Sequence, residues 1–178
     1  MNRPYKRDAV LRAVSLIKKY KGECFISCDI IAGFPGETDG DFQQTVELCN
    51  ECVFSWIHAF PFSPRPGTAA QKMKPQIPER IKDERVRILT QIAQNGKIEF
   101  INSCAGKTFD AVVENSRAFL KGLSDSQTYH AVTDNFIHVE FKSSSPLVQG
   151  TVVKVKINSA LEENIRSGVE VEASAQLA

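Results

Sequence analysis

Asp29-Ile-Ile-Ala-Gly-Phe-Pro-Gly-Glu-Thr38 and the later stretch Phe60-Pro-Phe-Ser-Pro-Arg-Pro-Gly-Thr68 decide the fold of this 178-residue chain. Each stretch has the pattern of a strand that ends in a loop of glycine and proline, and the first loop then opens a helix. In α/β folds, ligands bind at the carboxyl ends of the strands. The two stretches therefore predict two edges of one binding site.

The residues around these stretches predict an alternation of strands and helices. The apolar runs at 24–33 and 54–62 are typical of strands that are buried on both faces. Helices are predicted at 8–21, from a Thr38 cap to about residue 52, and from 78 to about 103. This order favours a parallel sheet with covering helices, which makes the first part α/β. Two strands cannot close a barrel, so we expect either a truncated N-terminus or self-association through the open barrel edge.

The character of the sequence changes at about residue 104. Short alternating segments follow one another, and turn residues separate them. Six strands are predicted, at 108–114, 118–122, 129–133, 137–141, 151–157 and 169–173. Six short strands in so few residues predict a small, closed or partly open all-β barrel. We therefore predict two domains, 1–104 and 105–178.

Composition sets limits on the class of protein. The net charge is +1, and the second predicted domain carries 7 Lys and Arg against 9 Asp and Glu, so nucleic-acid binding there requires a local patch. No apolar run reaches the roughly 18–20 residues that span a bilayer, and no signal peptide is recognisable. The five cysteines are an odd number, which argues against a disulfide framework. We expect a cytoplasmic protein without membrane association.

The loop after the first predicted strand is a candidate ligand site. Gly33 and Gly36 would let a ligand approach the backbone, and Glu37 could hold a hydroxyl group such as that of a ribose. A second interpretation is a tight strand-to-helix turn, in which Thr38 caps the helix and Glu37 complements its dipole. The glycine spacing matches neither a Rossmann fingerprint nor a P-loop.

The second loop places Arg65 among prolines and aromatic residues. A guanidinium held this way can bind a carboxylate or a phosphate with two hydrogen bonds. The alternative is an ordered crossing loop in which Arg65 satisfies backbone carbonyls. His58, on the preceding strand, could point into the same site or lie in the core.

The cysteines do not predict a metal site. Cys24 and Cys28 have the first spacing of the radical S-adenosylmethionine signature, but the third position is Ile31. Cys49 and Cys52 have a zinc-like spacing. Buried cysteines usually behave as small apolar residues, and we predict no metal ligand among them.

The second domain contains basic residues interleaved with aromatic ones, an arrangement typical of RNA-binding barrels. Candidates for phosphate contacts are Lys107, Arg117, Lys121, Lys142, Lys154 and Lys156. Candidates for base stacking are Phe119, Tyr129 and Phe136. The alternative is that the lysines are simply solvated and the aromatic residues lie in the core.

Nearly the whole chain resembles the radical S-adenosylmethionine methylthiotransferases. Residues 29–42 are similar to the late Asp-Ile-Ile-Val-Gly-Phe-Pro-Gly-Glu-Thr motif of their catalytic barrel, with Ala32 in place of Val. Residues 58–68 and 130–136 resemble the subgroup that modifies threonylcarbamoyladenosine in tRNA. The part from Gly106 onward looks like the TRAM domain, a small barrel that holds tRNA.

This resemblance implies an activity and a set of cofactors. The family cleaves S-adenosylmethionine at one 4Fe-4S cluster, uses the radical to remove hydrogen from adenine C2, and has a second 4Fe-4S cluster for sulfur delivery. None of the cluster cysteines is recognisable here. The chain is expected to lack the N-terminal part of the same polypeptide, to bind neither cluster and to be inactive alone.

The resemblance also implies roles for individual residues. Gly33, Gly36 and Glu37 would lie near S-adenosylmethionine or the substrate. Residues near the modified nucleoside would be His58, Ser63, Arg65 and Gly67. Basic residues of the last domain would hold the tRNA anticodon stem-loop. Two alternatives are a free-standing RNA-binding module without catalysis and a methylthiotransferase that acts on a ribosomal protein.

Overall fold

The computed structural model describes residues 3–114 and 127–178 and divides the chain into two compact units. Unit 1 is Met1–Gly96 and unit 2 is Lys97–Ala178. The division falls inside a long helix, a few residues before the boundary that the sequence predicts.

Unit 1 is built around a two-stranded parallel sheet. Its helices are α1 (Arg7–Lys21), α2 (Asp39–Cys52), the short α3 (Ala69–Lys72) and the beginning of α4 (Glu79–Ser103). The strands are β1 (Ser27–Ala32) and β2 (Trp56–Pro61), paired in register from Ser27 opposite Trp56 to Ala32 opposite Pro61. The predicted strand–helix–strand order is confirmed, and α3 adds one helical turn to the connection that follows β2.

Two local devices fix the helices of unit 1. The predicted capping box opens α2, because the Thr38 hydroxyl accepts from the amide of Asp41 at 3.1 Å and the Asp41 carboxylate accepts from the amide of Thr38 at 2.9 Å. In α4, a Cβ placed at Gly96 would lie 2.1 Å from the carbonyl oxygen of Phe54. Glycine at this position therefore allows the backbone before β2 to approach the helix.

One face of the sheet is covered and the other is open. Ala32 and Ile57 are buried against residues of α1, α2 and α4. On the opposite face, Asp29 and His58 are exposed and Phe60 is 49% exposed. The expectation that these strands are buried on both faces is wrong for the described residues, because the helices cover only one side.

Unit 2 is a closed barrel with strand order β3-β4-β5-β7-β6, as the sequence predicts for a small barrel. Its strands are β3 (Thr108–Val113), β4 (Gln127–Thr133), β5 (His138–Ser143), β6 (Val152–Ala160) and β7 (Ala173–Leu177). The pair β5–β7 is parallel, and the other neighbouring pairs are antiparallel.

The predicted strands of unit 2 differ from the observed ones in two places. The prediction of a strand at 169–173 is wrong, because β7 begins only at Ala173 and is preceded by a short helix, α5 (Glu162–Ser167). The strand predicted at 118–122 lies outside the described residues. The interior is filled by residues that alternate with exposed ones along each strand, such as Val155 and Ile157 on β6. Within residues 3–114 and 127–178, no helix has both the length and the apolar character needed to cross a membrane.

Candidate functional site

Unit 1 has a cleft of about 740 Å³ at the carboxyl end of β1, beside the open face of the sheet. Asp29 of β1 and Phe60 of β2 line it from the open face. Gly36 and Glu37 line it from the loop that follows β1. The cleft therefore lies where the sequence predicts a binding site.

The loop residues 34–37 form a type II turn. The amide of Glu37 donates to the carbonyl of Phe34 at 2.9 Å, and Gly36 has φ of 83°, the left-handed conformation that this turn requires at its third position. The amide of Gly36 donates to the carbonyl of Pro75 at 3.0 Å. A Cβ at Gly36 would meet nothing within 4 Å, so the backbone here is open to a ligand.

Glu37 is held by the protein itself. Its Oε2 accepts from the amide of Gly33 and from Nη1 of Arg85, both at 2.6 Å. Arg85 is buried, its Nη2 donates to Asp39 at 2.8 Å, and its guanidinium lies 5.2 Å from the ring centre of Phe42. These contacts support the structural interpretation of Glu37, and a contact with a ligand hydroxyl would fall to Oε1.

Lys82 connects the ends of the two strands. Its Nζ donates to the carbonyl of Phe62 at 3.0 Å and to Glu79 at 2.8 Å, and the side chain is only 2% exposed. A Cβ at Gly33 would lie 2.4 Å from Cγ of Lys82, and φ of Gly33 is 77°. The close approach at Gly33 is therefore made by Lys82, and not by a ligand as the sequence suggests.

Sequence reasoning missed Lys82 and Arg85. A signal was present, because positions 82, 85, 89 and 93 recur at helical spacing and Leu89 and Ala93 are buried. Lys82 and Arg85 lie on the same face of the helix as these buried apolar residues. This spacing indicates that the helix brings two positive charges into the interior.

The residues predicted in the second loop do not line the cleft. Ser63, Arg65 and Gly67 are exposed. The carbonyl of Arg65 accepts from the hydroxyl of Thr68 at 2.8 Å, and the amide of Gly67 donates to Gln71 at 3.2 Å. Among the described residues, the guanidinium of Arg65 contacts no acceptor.

His58 lies on the open face of the sheet. In the parallel register it stands opposite Asp29, so both side chains belong to the same face. Its ring packs edge-on against Trp56, with ring centres 6.3 Å apart. The structure therefore brings His58 near Asp29 but leaves it outside the residues that line the cleft.

Burial keeps the thiols of Cys28, Cys49 and Cys52 protonated at ordinary pH, because it raises the pKa of each. Burial, with smaller effects of neighbouring thiols, raises the pKa of Cys28 to about 12 and that of Cys49 to about 11. The pKa of Cys52 is also raised, chiefly by burial. Among the described residues, the cysteines do not form a group of three or more side chains that could hold a metal ion.

The structure brings three of the predicted RNA-binding lysines to one side of the barrel. Lys154 and Lys156 point outward from β6, opposite Asp110 and Thr108 of β3, and Lys107 immediately precedes β3. The carboxylate of Asp110 accepts from Nζ of Lys154 at 2.8 Å, which raises the pKa of that lysine. We call the exposed surface formed by Lys107, Lys154 and Lys156 the β3–β6 surface.

The turn between β4 and β5 lies beside this surface. The amide of Asp134 donates to the carbonyl of Asp110 at 2.8 Å, which ties the turn to β3. Phe136, in the same turn, is 67% exposed and has φ of 63°. A bulky residue rarely adopts this left-handed conformation, and such residues cluster at binding sites.

Tyr129 is not available for base stacking. It is 1% exposed, its hydroxyl donates to Gln127 at 2.9 Å and accepts from the amide of Leu147 at 3.1 Å, and its ring stacks on Phe141. Burial in the core therefore corrects the prediction for this residue. Lys142 is exposed on β5, away from the β3–β6 surface. Three predicted residues lie outside the described part of the chain, namely Arg117, Phe119 and Lys121.

Comparison with known proteins identifies the relatives of this chain. A threonylcarbamoyladenosine tRNA methylthiotransferase of Treponema pallidum is 43% identical over 118 residues, which are 66% of this chain and 24% of the relative. The enzyme of the same name from Aquifex aeolicus is 40% identical over 70% of this chain and 31% of its own length. The one from Thermotoga maritima is 35% identical over 94% of this chain and 36% of its own length. No model of a protein family matches the chain.

The α/β unit, the small barrel and these relatives together define the class: the chain belongs to the methylthiotransferase family. Within that family it falls in the threonylcarbamoyladenosine subgroup, as the sequence resemblance predicts. A relative from Rickettsia bellii, 32% identical over 90% of the chain, is named tRNA-2-methylthio-N(6)-dimethylallyladenosine synthase. The chain spans about a quarter to a third of the length of the curated relatives it matches.

Proposed function

We propose that this chain forms part of a cytoplasmic tRNA methylthiotransferase that attaches a methylthio group to C2 of threonylcarbamoyladenosine beside the anticodon. Unit 1 supplies a wall of the reaction site, as the late half of a radical S-adenosylmethionine barrel. Unit 2 acts as a TRAM domain and holds the tRNA anticodon stem-loop. The observation that carries this proposal is the cleft at the carboxyl end of β1, beside an uncovered sheet face.

The open face supports the barrel assignment. In a closed (β/α) barrel, helices cover the outside and the other face of each strand lines the interior. The face that carries Asp29, His58 and Phe60 would then be the inner one, while α1, α2 and α4 form the outer layer. Completion of the sheet requires further strands, from the rest of a longer polypeptide or from a second copy of this chain.

The cleft has the chemistry to hold S-adenosylmethionine. This cofactor carries a sulfonium and an ammonium, and the carboxylates of Asp29 and Asp41 line the cleft. Phe34 and Phe60 offer apolar surface for adenine, and Gly36 leaves room at the backbone. When bound, the cofactor supplies the methyl group and the radical for the reaction. The residues of this chain bind and orient it. Arg85 fixes the loop after β1 through its ion pair with Glu37.

The β3–β6 surface supports the role in tRNA binding. Its lysines are exposed, two of them on β6 and one directly before the neighbouring strand β3, so they can reach successive phosphates of one RNA backbone. Phe136 presents a ring beside them on which an unpaired base can stack. Arg117 and Lys121 remain proposed contacts, and Arg65, Ser63 and Gly67 remain proposed near the modified nucleoside.

RNA binding by the purified chain tests the role of unit 2. We expect an anticodon stem-loop that contains threonylcarbamoyladenosine to bind, and the double change Lys154→Gln, Lys156→Gln to weaken binding. The slope of log affinity against log salt should become shallower by about 0.7 for each phosphate that the variant no longer binds. Lys142→Gln is the matched control, since Lys142 is exposed on a different strand. Equally weakened binding in both variants would contradict the surface as assigned.

Equilibrium dialysis with S-adenosylmethionine tests the role of unit 1. Asp29→Asn should weaken binding, and Asp83→Asn on the exposed side of α4 should not. The chain alone should produce no methylthiolated nucleoside by mass spectrometry, because none of the cluster cysteines of the family is recognisable in it. RNA binding without cofactor binding would favour a non-catalytic RNA-binding module. Binding of the cofactor but no RNA would revive the ribosomal-protein alternative.

A further inference from the structure

A second group of polar side chains lies on the barrel, and neither the cleft nor the β3–β6 surface uses it. Glu114 directly follows β3, His138 begins β5, and Glu170 lies between α5 and β7. One ligand atom from each of these residues lies within 4.8 Å of the other two. Three segments that are distant in sequence thus bring one imidazole and two carboxylates together.

The imidazole of His138 has an unmet requirement. The side chain is 32% exposed, but its Nδ1 atom is buried and has no hydrogen-bond partner among the residues that the structure describes. The nearest carboxylate oxygen is Oε2 of Glu114 at 3.7 Å, which is too long for a hydrogen bond. A buried ring nitrogen without a partner costs free energy, and an ion between the ring and the carboxylates would remove that cost.

The backbone of His138 is fixed independently of this group. Its amide donates to Oε2 of Glu172 at 3.3 Å, and its carbonyl accepts from the amide of Glu172 at 2.8 Å. The other carboxylate oxygen of Glu172 accepts from the buried Lys97 at 2.8 Å. The imidazole is therefore presented from a rigid position, as a metal ligand must be.

We propose that Glu114, His138 and Glu170 bind one divalent transition-metal ion of the zinc type. One imidazole nitrogen and two carboxylates are ligands that Zn²⁺ accepts at about 2.0–2.2 Å, with water in the fourth position. Ligands at that distance around a tetrahedral ion lie about 3.3–3.6 Å apart, so the group, whose ligand atoms lie within 4.8 Å of one another, needs to contract by up to about 1.5 Å. Imidazole disfavours Mg²⁺ and Ca²⁺, which take oxygen ligands.

The ion would reinforce the shortest junction of the barrel. The parallel pair β5–β7 is in register over only two residue pairs, Val139 with Ala173 and Glu140 with Ser174. His138 precedes this junction on β5, and Glu170 precedes it on the side of β7. An ion that joins them, together with the end of β3, would close the barrel on the side where few backbone hydrogen bonds do so. This role is independent of catalysis.

Titration of the untagged 178-residue chain with Zn²⁺ and Co²⁺ tests the proposal. We expect one ion per chain by calorimetry, weak visible absorption by the Co²⁺ form, and a higher melting temperature with metal. Glu170→Gln, at an exposed position, should weaken binding by about tenfold or more without unfolding the chain. His138→Gln should do the same. The matched control is Glu163→Gln on the exposed side of α5, which should change neither affinity nor stoichiometry.

Three outcomes would overturn the proposal. The first is no binding at metal concentrations up to about 100 μM. The second is equal affinity in the wild type, Glu170→Gln and His138→Gln. The third is an intense near-ultraviolet band of the Co²⁺ form, which would assign the ion to the cysteines.

Discussion

The two units present their candidate sites in different ways. In unit 1 the site is built on buried charge, since Lys82 and Arg85 reach from α4 to hold the loops that follow β1 and β2. In unit 2 the β3–β6 surface consists of exposed side chains on a barrel whose core is complete without them. Stability and ligand binding should therefore be coupled in unit 1 and separable in unit 2.

The coupling in unit 1 follows from its architecture. A sheet with one covered face cannot hold its loops by apolar packing from both sides, so hydrogen bonds and ion pairs from α4 replace that packing. These ion pairs make unit 1 sensitive to substitution, because removal of one buried charge leaves the opposite charge without its partner. The barrel also contains a buried ion pair, Lys97 with Glu172, but each of its strands pairs with two neighbours.

Replacement of Arg85 should have the largest effect. Arg85→Met removes the cation from Glu37, whose side chain is 14% exposed, and should lower the free energy of unfolding by about 3 kcal/mol. Fluorescence of Trp56, the single tryptophan of the chain, reports unfolding of unit 1 in denaturant. Arg87→Met, at an exposed position of the same helix, is the control. A small decrease in Arg85→Met would show that the loop does not depend on buried charge.

Replacement of Gly33 should have the next largest effect. Gly33→Ala forces a side chain into φ of 77° and into contact with Lys82, and should cost about 2–3 kcal/mol. Gly36→Ala has the same backbone strain, at φ of 83°, but open space around the new Cβ, and should cost about 1 kcal/mol. The difference between the two, measured by Trp56 fluorescence, isolates the contact with Lys82. Equal destabilisation would mean that backbone strain alone explains both glycines.

Alkaline pH should destabilise unit 1 through its thiols. Well below their ordinary pKa of 9.0, Cys28 and Cys49 are neutral in both the folded and the unfolded chain, so stability does not change with pH through them. Above it, the unfolded thiols ionise while the folded ones keep their protons up to a pKa of about 12 and about 11, so stability falls over this range. Denaturation midpoints at a series of pH values should show this decline. The double variant Cys28→Ala, Cys49→Ala should lose less stability on alkalinisation, and an unchanged decline would exclude the thiols as its cause.

The sequence predicts the backbone of both units better than the polar contacts of the site. Periodicity identifies β1, α2, β2 and α4, and alternation identifies the barrel, because burial of apolar surface dictates both patterns. The pairing of Arg85 with Glu37 joins residues 48 positions apart, and no local pattern contains it. The same limit explains the wrong prediction for Tyr129. A tyrosine ring can pack in a core or stack on an RNA base, and no local pattern contains the contacts that decide between the two. Helix α5 spans only six residues, too few for a helical period to be recognised.

Replacement of Phe136 should have the smallest effect on stability, and it should stabilise the chain where the other changes destabilise it. Phe136→Asn places a residue that tolerates the left-handed conformation at φ of 63°, and should stabilise the barrel by about 0.5–1 kcal/mol. The same change removes the ring on which a base would stack, so affinity for the anticodon stem-loop should fall by about 1 kcal/mol or more. Hydrogen exchange of β5 and β6 peptides measures the first effect, and fluorescence anisotropy of labelled RNA measures the second. A variant that is more stable and binds the RNA less tightly would establish that the strained backbone at Phe136 holds a ring that RNA binding requires. A decrease in both stability and affinity would show that the ring of Phe136 contributes to the stability of the barrel. Stability and ligand binding would then be coupled in unit 2 as they are in unit 1.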